Sequence, residues 1–447
     1  MSKPRDPQKI LDALLAAARK QGADAADALL VESVSASVSY RLGKLEDVER
    51  SESADLGLRV FVGNRVAFVS SSDFSDDAVA ALPPRALAMA RLAPEDKFAG
   101  LAPAELLART VPALDLEDPQ EPAAETLVAR AREAEQAGMA VPGVTNSEGG
   151  GASFSRSTVA LATSAGFIGR YAGTSHSIGV AVLAGEGTGM ERDYDHASAR
   201  HAADLESAEA IGRSAGEKAV RRLSPRKVKS QSVPVVFDPR EASGLLGHLA
   251  GAISGSSVAR GTSFLKDRMA SAIFAPHVTI IDDPHRLRGL RSKPFDGEGV
   301  ANARRALIDK GQLTTWLLDC ASARQLGLTS TGHAARGTGG PPMPSATNLY
   351  MQAGSLSPQA LIADIKQGFY VTELMGMGVN GITGDYSRGA AGFWIENGQI
   401  AFPVSEVTIA GNLKDMFLHL TPASDLQFRY GTNAPTCRIE GMTIAGS

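Results

Sequence analysis

Cysteine is scarce in this chain: 447 residues include only Cys320 and Cys437. The two lie too far apart in sequence for a C-x-x-C redox or zinc pair, so a disulfide framework and a cysteine-rich metal cluster are both excluded. A reducing, cytoplasmic setting is the simplest expectation. Long apolar runs are also missing, and no stretch approaches the roughly 18 apolar residues that a membrane-spanning helix requires. The opening MSKPRDPQKILDALLAAARKQG has no signal-peptide core, because Asp12, Arg19 and Lys20 interrupt an amphipathic pattern. Nor does one charge dominate. Lys and Arg number 45 against 49 Asp and Glu, a net of −4, which gives no general attraction for nucleic acid or for an anionic membrane.

The usual catalytic signatures are absent too. The histidines, at positions 176, 196, 201, 248, 277, 285, 333 and 419, form no H-E-x-x-H pair. His196 and His201 would stand about 140° apart on a helix, a poor chelating pair, and are read as loop histidines facing solvent. A G-x-G-x-x-G string occurs at Gly376, Gly378 and Gly381, but the residues after it are glycine-rich and then strand-like. A dinucleotide site needs a helix to start there. No G-x-S-x-G elbow or phosphate-binding G-x-x-x-x-G-K-[ST] loop occurs. The basic stretches Arg221 to Lys229 and Arg286 to Lys293 lack interleaved aromatics and are read as solvated linker and loop.

The chain is well supplied with hydrophobic residues, 43% of the total, enough for a large core and two or three domains. Asp6 and Pro7 suit the cap and first residue of a helix whose apolar set is Ile10, Leu11, Leu14, Leu15 and Ala18, with Gly22 to end it. VSASVSY (34–40) alternates as a strand, and Gly63-Asn64 sits between two β-rich runs as a hairpin would. SDDAVAALPPRALAMARL then returns to helical spacing. PAAETLVARAREAEQAG, the strand-like 155–187 and the helical 203–223 repeat that order, which suggests an internal duplication. Prolines 94, 103, 112, 119 and 122 mark a connector near residues 93–122.

The fold class expected is therefore α+β. Residues 1–230 form an N-terminal α/β domain of two helix-strands-helix halves, and residues 231–447 a C-terminal domain dominated by an antiparallel β-sheet. In the latter, VTIIDDP, ALIDKGQLTTWLLD and GFWIENGQIAFPV supply strands, and Asn397-Gly398 is a type I′ hairpin signal.

FDPREASGLLGHLAGA (237–252) is the most informative segment. Asp238 fits an N-cap, Pro239 the first helical residue, and Glu241 the third position of a capping box. Gly244, Gly247, Ala250 and Gly251 leave a smooth face, so a tightly packed neighbour is expected there.

This segment and its continuation through GAISGSSVARGTSFLKDRMASAIFAPHVTIIDDP resemble the TldD/PmbA (TldD/TldE) metalloprotease family. So do TELMGMGVNGITGDYSRGAAGFWIENGQIAFPVSEVTIAGNLKDM and the ending PTCRIEGMTIAGS. The resemblance implies a cytoplasmic heterodimeric protease that degrades unfolded peptides inside a closed cavity. In that picture the TldD-type subunit bears zinc through an H-E-x-x-x-H helix and a later cysteine, and the PmbA/TldE type lacks that site. Carried onto this chain, the motif falls on Arg240, Glu241, Ala242, Ser243, Gly244 and Leu245. Arginine and leucine offer no lone pair to Zn²⁺, whereas a catalytic zinc needs three protein ligands and an open position. His248 does not restore the spacing, and FLHLTPASDLQFRYGTN, where the ligand cysteine would lie, has none. Cys437 is read as core.

The expectation is thus a non-catalytic PmbA/TldE-type subunit with no metal or cofactor of its own. Its partners would be a TldD-like zinc-bearing subunit and unfolded peptide held as an added β-strand, with a homodimer of the isolated chain left open. Glu241 keeps the general-base position but has no metal-bound water to activate. Arg240, a permanent cation, would suit a carboxylate of peptide or partner. His333, Arg336 and Asn348, in a glycine- and proline-rich segment, are the substrate-cleft candidates. The alternatives are a stand-alone hydrolase with an unrecognised site, and a non-proteolytic regulator of DNA gyrase or of toxin–antitoxin systems, the former reflecting the family's older name, modulator of DNA gyrase.

Overall fold

The computed structural model describes residues 6–446. Its first half repeats one order of elements. α1 (Pro7–Lys20), β1 (Ala25–Arg41), β2 (Lys44–Val62), β3 (Arg65–Ser71) and α2 (Asp76–Leu92) are succeeded by α3 (Ala124–Met139), β4 (Val144–Thr163), β5 (Ile168–Ala184), β6 (Glu191–Ala199) and α4 (Ala208–Arg221). The six strands make one antiparallel sheet, ordered β3-β2-β1-β4-β5-β6. The two halves meet at β1 and β4, where Asp27 lies opposite Thr163 and Tyr40 opposite Gly150.

Alternation along β1 sorts its side chains into two layers. Ala28 and Leu30 join Leu11 and Leu14 of α1 and Leu87 of α2 on one face, while Leu29 and Val31 turn to the other face and meet Phe295 of the C-terminal half. The caps agree with the sequence: Asp6 accepts from the amide of Gln8, and Pro7 opens α1. α3 and α4 cross closely because Gly212 carries no Cβ; one placed there would collide with the carbonyl oxygen of Ala134.

The proline-rich connector lies against the C-terminal half. It contains a single 3₁₀ turn, Ala104–Leu106; the amide of Ala108 donates to Gly299 O and that of Ala301 to Leu106 O, each at 2.9 Å.

The remaining elements are β7 (Gln231–Phe237), α5 (Pro239–Ala252), α6 (Gly255–Ala259), β8 (Ile280–Asp282), β9 (Arg305–Asp309), β10 (Gln312–Leu313), α7 (Cys320–Leu326), β11 (Ala334–Ala335), β12 (Met343–Pro344), β13 (Leu349–Met351), α8 (Pro358–Ile362), β14 (Gln367–Met375), β15 (Asp385–Glu396), β16 (Gln399–Asn412), α9 (Leu413–Leu418), β17 (Leu420–Pro422), β18 (Thr432–Asn433) and β19 (Cys437–Ala445). Strands β16-β15-β14-β7-β19 close into a five-stranded barrel through a β16–β19 pairing, with β17 added to β19. The ladder is antiparallel except for β7 and β14, which run parallel. A second sheet is ordered β10-β9-β8-β13-β18. The β15–β16 turn forms as its sequence predicts, Asn397 and Gly398 both having positive φ, 48° and 77°.

The main core unites Val235, Phe237, Phe369, Val371 and Ile439 of the barrel with Leu245, Leu246 and Leu249 of α5. Such aliphatic side chains contribute roughly 1.5 to 3 kcal/mol each when fully buried. The chain is thus α+β, with an N-terminal sheet and a β-rich C-terminal region that includes a closed barrel. No described helix is long and apolar enough to cross a membrane.

Candidate functional site

The site suggested by the sequence is the first two turns of α5, which leaves the end of β7 beside β14. Asp238 caps the helix: its Oδ1 accepts from the amide of Arg240 at 3.0 Å and its Oδ2 from the Tyr370 hydroxyl at 3.2 Å. The capping box expected with Glu241 does not close. The Asp238 amide already donates to Val371 O of β14 at 3.0 Å, so it has no proton to offer a glutamate. Glu241 instead lies with Oε1 3.7 Å from Arg240 Nε, its side chain 18% exposed. Burial pushes its carboxyl up to about 7, against the pull of Arg240 and with help from Asp238.

Arg240 is the hub of this region. Its Nη1 donates to Asp193 Oδ1 at 3.0 Å and to Tyr194 O at 3.4 Å, and its Nη2 to Thr372 O at 2.6 Å. The guanidinium also lies 4.7 Å from the Tyr194 ring centroid. One side chain therefore ties α5 to β6 of the N-terminal sheet and to β14 of the barrel. Although burial disfavours its charge, Asp193 keeps it raised above the ordinary arginine value. The carboxylate that it engages here, Asp193, belongs to its own chain.

Leu245 faces elsewhere: it is 2% exposed within the main core. The two outer motif positions thus serve different surroundings. His248 packs edge-on to Tyr386 at 5.9 Å and brings no ligand to Arg240 or Glu241. Cys437 is fully buried, its Sγ 3.2 Å from Pro435 O, and burial pushes its thiol up. Among the described residues, no group of three or more His, Cys, Asp or Glu is placed to hold a metal ion.

Beside the start of α5 lies a cavity of about 430 Å³ lined by Arg240, Arg222, Arg429, Tyr370, Tyr430 and Phe393, among others. Arg240, Arg222 and Arg429 are paired internally, while Arg221 lies over the Phe393 ring at 4.9 Å. Arg222 reaches Glu191 (3.3 Å), Asp193 (3.4 Å) and Glu373; Arg429 reaches Glu206 (2.8 Å) and Asp195 (3.4 Å). Arg429 Nη2 also bonds His196 O at 3.2 Å, so with Arg240 it occupies carbonyls of β6.

Other expectations need correction. Beyond the helix's own backbone and the adjacent residues, nothing described lies within 4 Å of where a Cβ would stand on Gly244, Gly247 or Gly251, whereas Ala250 packs against the main core. His196 is on β6 and stacks between Tyr194 (6.0 Å) and Tyr430 (5.1 Å), while His201 contacts Asp115 Oδ1 at 3.2 Å. Neither is a free loop histidine. The basic stretches are only partly solvated, for Arg222 and Lys293 are engaged inside the protein.

His333, Arg336 and Asn348 do not converge on one another. His333 is 2% exposed, between Thr331 Oγ1 (2.8 Å) and Asp282 Oδ2 (3.2 Å). Asn348, 3% exposed, bonds Asp283 O and Ser292 Oγ, each at 2.7 Å. Arg336 departs from both to Asp27 of β1 at 2.7 Å, with its side chain 1% exposed. These side chains hold the loop to β8 and to the N-terminal sheet.

Comparison with known proteins places this arrangement. The PmbA/TldA metallopeptidase domain 1 matches residues 26–90, the central domain 117–223 and the C-terminal domain 230–446. Metalloprotease PmbA of Escherichia coli O157:H7 is 42% identical over 95% of this chain and 92% of its own length. The PmbA homolog of Haemophilus influenzae is 36% identical over 92% and 90%. Among solved structures, a Bacteroides thetaiotaomicron protein described as a candidate modulator of DNA gyrase superposes with a TM-score of 0.91 at 26% identity, covering 98% of this chain and 99% of that one. TldE from Thermococcus kodakarensis shares the fold, with a TM-score of 0.85 at 22% identity over 97% and 99%. The chain belongs to the PmbA/TldD metalloprotease family, as a member of its PmbA/TldE type.

Proposed function

We propose that this chain is the non-catalytic subunit of a cytoplasmic, two-chain zinc metalloprotease, that a TldD-like sister chain holds the zinc, and that unfolded peptide is the substrate. The observation that carries the reading is the fate of the two outer motif positions. Arg240 is committed to Asp193 and Thr372, and Leu245 is sealed in the core, so neither can lend a lone pair to a metal. Glu241 retains a carboxyl with a raised pKa but no ligand set beside it. In this reading residues 1–230 and 231–447 are two domains, and the bare glycine face of α5 borders the space shared with the sister. Peptide held as an added strand would not use β6, whose Tyr194 and His196 carbonyls are occupied by Arg240 and Arg429.

The test is to purify the chain alone and together with an H-E-x-x-x-H-bearing paralogue, then measure bound metal and cleavage of an unfolded peptide. Zinc and cleavage only in the mixture are expected. Stoichiometric zinc with cleavage by the lone chain would overturn the proposal.

A further inference from the structure

A second cavity, of about 390 Å³, lies between the sheet face opposite α1–α4 and the loops of the C-terminal half. Ser157 of β4, Tyr171 of β5, Arg200 just after β6, and Arg291, Lys293 and Thr347 from two C-terminal loops are on its walls. Three lining residues are cations and none is a carboxylate. Carbonyl oxygens hold Arg200: its Nε, Nη1 and Nη2 donate to those of Gly289, Thr174 and Leu290 at 3.2, 2.9 and 2.5 Å. Lys293 Nζ donates to Ala334 O at 2.9 Å. The Arg291 side chain is exposed and lies against Gly431.

Carbonyl oxygens orient a cation without neutralising it. Two acids act on Lys293 from a distance, Asp296 and Asp282, and both are already engaged. Asp282 accepts from the amide and hydroxyl of Thr347, each at 2.6 Å, and contacts His333. Asp296 accepts from the amides of Glu298, Val300 and Ala334. Burial accordingly holds Lys293 and Arg200 below their ordinary pKa values, the signature of cations placed where counter-charge is short. A guanidinium has five N–H donors and an ammonium three, so both retain protons beyond those given to the carbonyls.

We propose that this cavity binds a small oxyanionic group, a carboxylate or a phosphate, seated against Lys293, Arg200 and Arg291. The group would accept charge-assisted hydrogen bonds from all three, while Tyr171 and Ser157 close the wall behind it. The inference does not depend on the protease reading, because it concerns residues of this chain alone.

The test is titration of the full chain with inorganic phosphate and with N-acetylglycine at constant ionic strength, with chloride as the reference anion, read by calorimetry or amide chemical shifts. Saturable millimolar or tighter binding of at least one anion is expected. Lys293→Met should weaken it about tenfold or more, as loss of a charge-assisted hydrogen bond does. Arg291→Ala, an exposed change that leaves the fold intact, should weaken it several-fold. A peptide with a free C-terminus compared with its amide then separates the sources: discrimination between the two assigns the group to a peptide carboxylate, and preference for phosphate over both assigns it to a phosphate. The proposal is overturned if neither anion binds saturably in the millimolar range, or if binding is unchanged in Arg291→Ala and in a folded Lys293→Met.

Discussion

Arg240→Met tests the cross-link at the start of α5. Methionine keeps much of the aliphatic volume and removes the charge, so the perturbation is confined to the guanidinium. Breaking a buried ion pair by deleting one partner typically costs 3 to 5 kcal/mol. Two features of this site lower that figure. Asp193 retains Arg222 at 3.4 Å and the Tyr194 amide at 2.8 Å, so it is not left unpaired, and removing Arg240 also removes the cost of burying its charge. Against this stand the lost bond to Thr372 O and the contact with the Tyr194 ring, the latter contributing about 0.5 to 1 kcal/mol. The expected loss is about 2 to 4 kcal/mol.

Urea unfolding should show the loss as a lower midpoint at unchanged slope, and hydrogen exchange should show faster opening of β6 and β14. Arg240→Lys should be intermediate, because an ammonium can reach Asp193 but cannot present a planar fork to Asp193 and Thr372 together. A change in stability within about 0.5 kcal/mol for Arg240→Met, the range of ordinary surface substitutions, would refute the assignment of Arg240 as the cross-link. So would full rescue by lysine.

Glu241→Gln tests the raised carboxyl. Because the native state holds a proton that the unfolded state releases, stability contributed by this group is fully present below about pH 4.5 and is lost as pH rises from there through about 7. The variant should lack that decline and gain about 1 to 3 kcal/mol over the parent between pH 5 and pH 8; parallel stability curves would contradict it. The double change Arg240→His with Leu245→His should bind no stoichiometric zinc by metal analysis, since a catalytic zinc needs three protein ligands and the stretch that would supply the third, FLHLTPASDLQFRYGTN, has no cysteine. It should also destabilise the fold by about 2 to 5 kcal/mol through the imidazole placed in the core, and recovery of tight zinc binding in a stable fold would show the reasoning to be wrong.

Where local chemistry decides, the sequence was readable. Asp6-Pro7, Asp238-Pro239 and Asn397-Gly398 each specify their own backbone within two residues, and each appears where expected. The repeated order of helix, strands and helix was also legible, because alternating and helical periods need no knowledge of partners. Closure of the barrel was not. It depends on β19, the last strand, pairing with both β7 and β16, over separations that leave no local trace. The capping box failed for the same reason: the donor that Glu241 would have used is taken by Val371, more than 100 residues away. Asp193 and Thr372 carried no signal as partners of Arg240, since neither stands in a motif with it.

The helix differs from the H-E-x-x-x-H pattern at two positions, and each residue there is accommodated in its own way. A buried polar side chain must have its hydrogen-bonding needs met from within the protein. At position 245 there is no such need, because leucine fills the core beside Leu246 and Leu249. At position 240 it is met for a cation whose counter-charge, Asp193, is shared with Arg222. The two accommodations draw on different parts of the fold, the barrel core and the sheet edge. A histidine at 245 would burden the core, and one at 240 would remove one of two arginine links between β6 and β14, leaving that of Arg222. The PmbA/TldE-type pattern is therefore embedded in the packing around α5 as well as in the two residues on it.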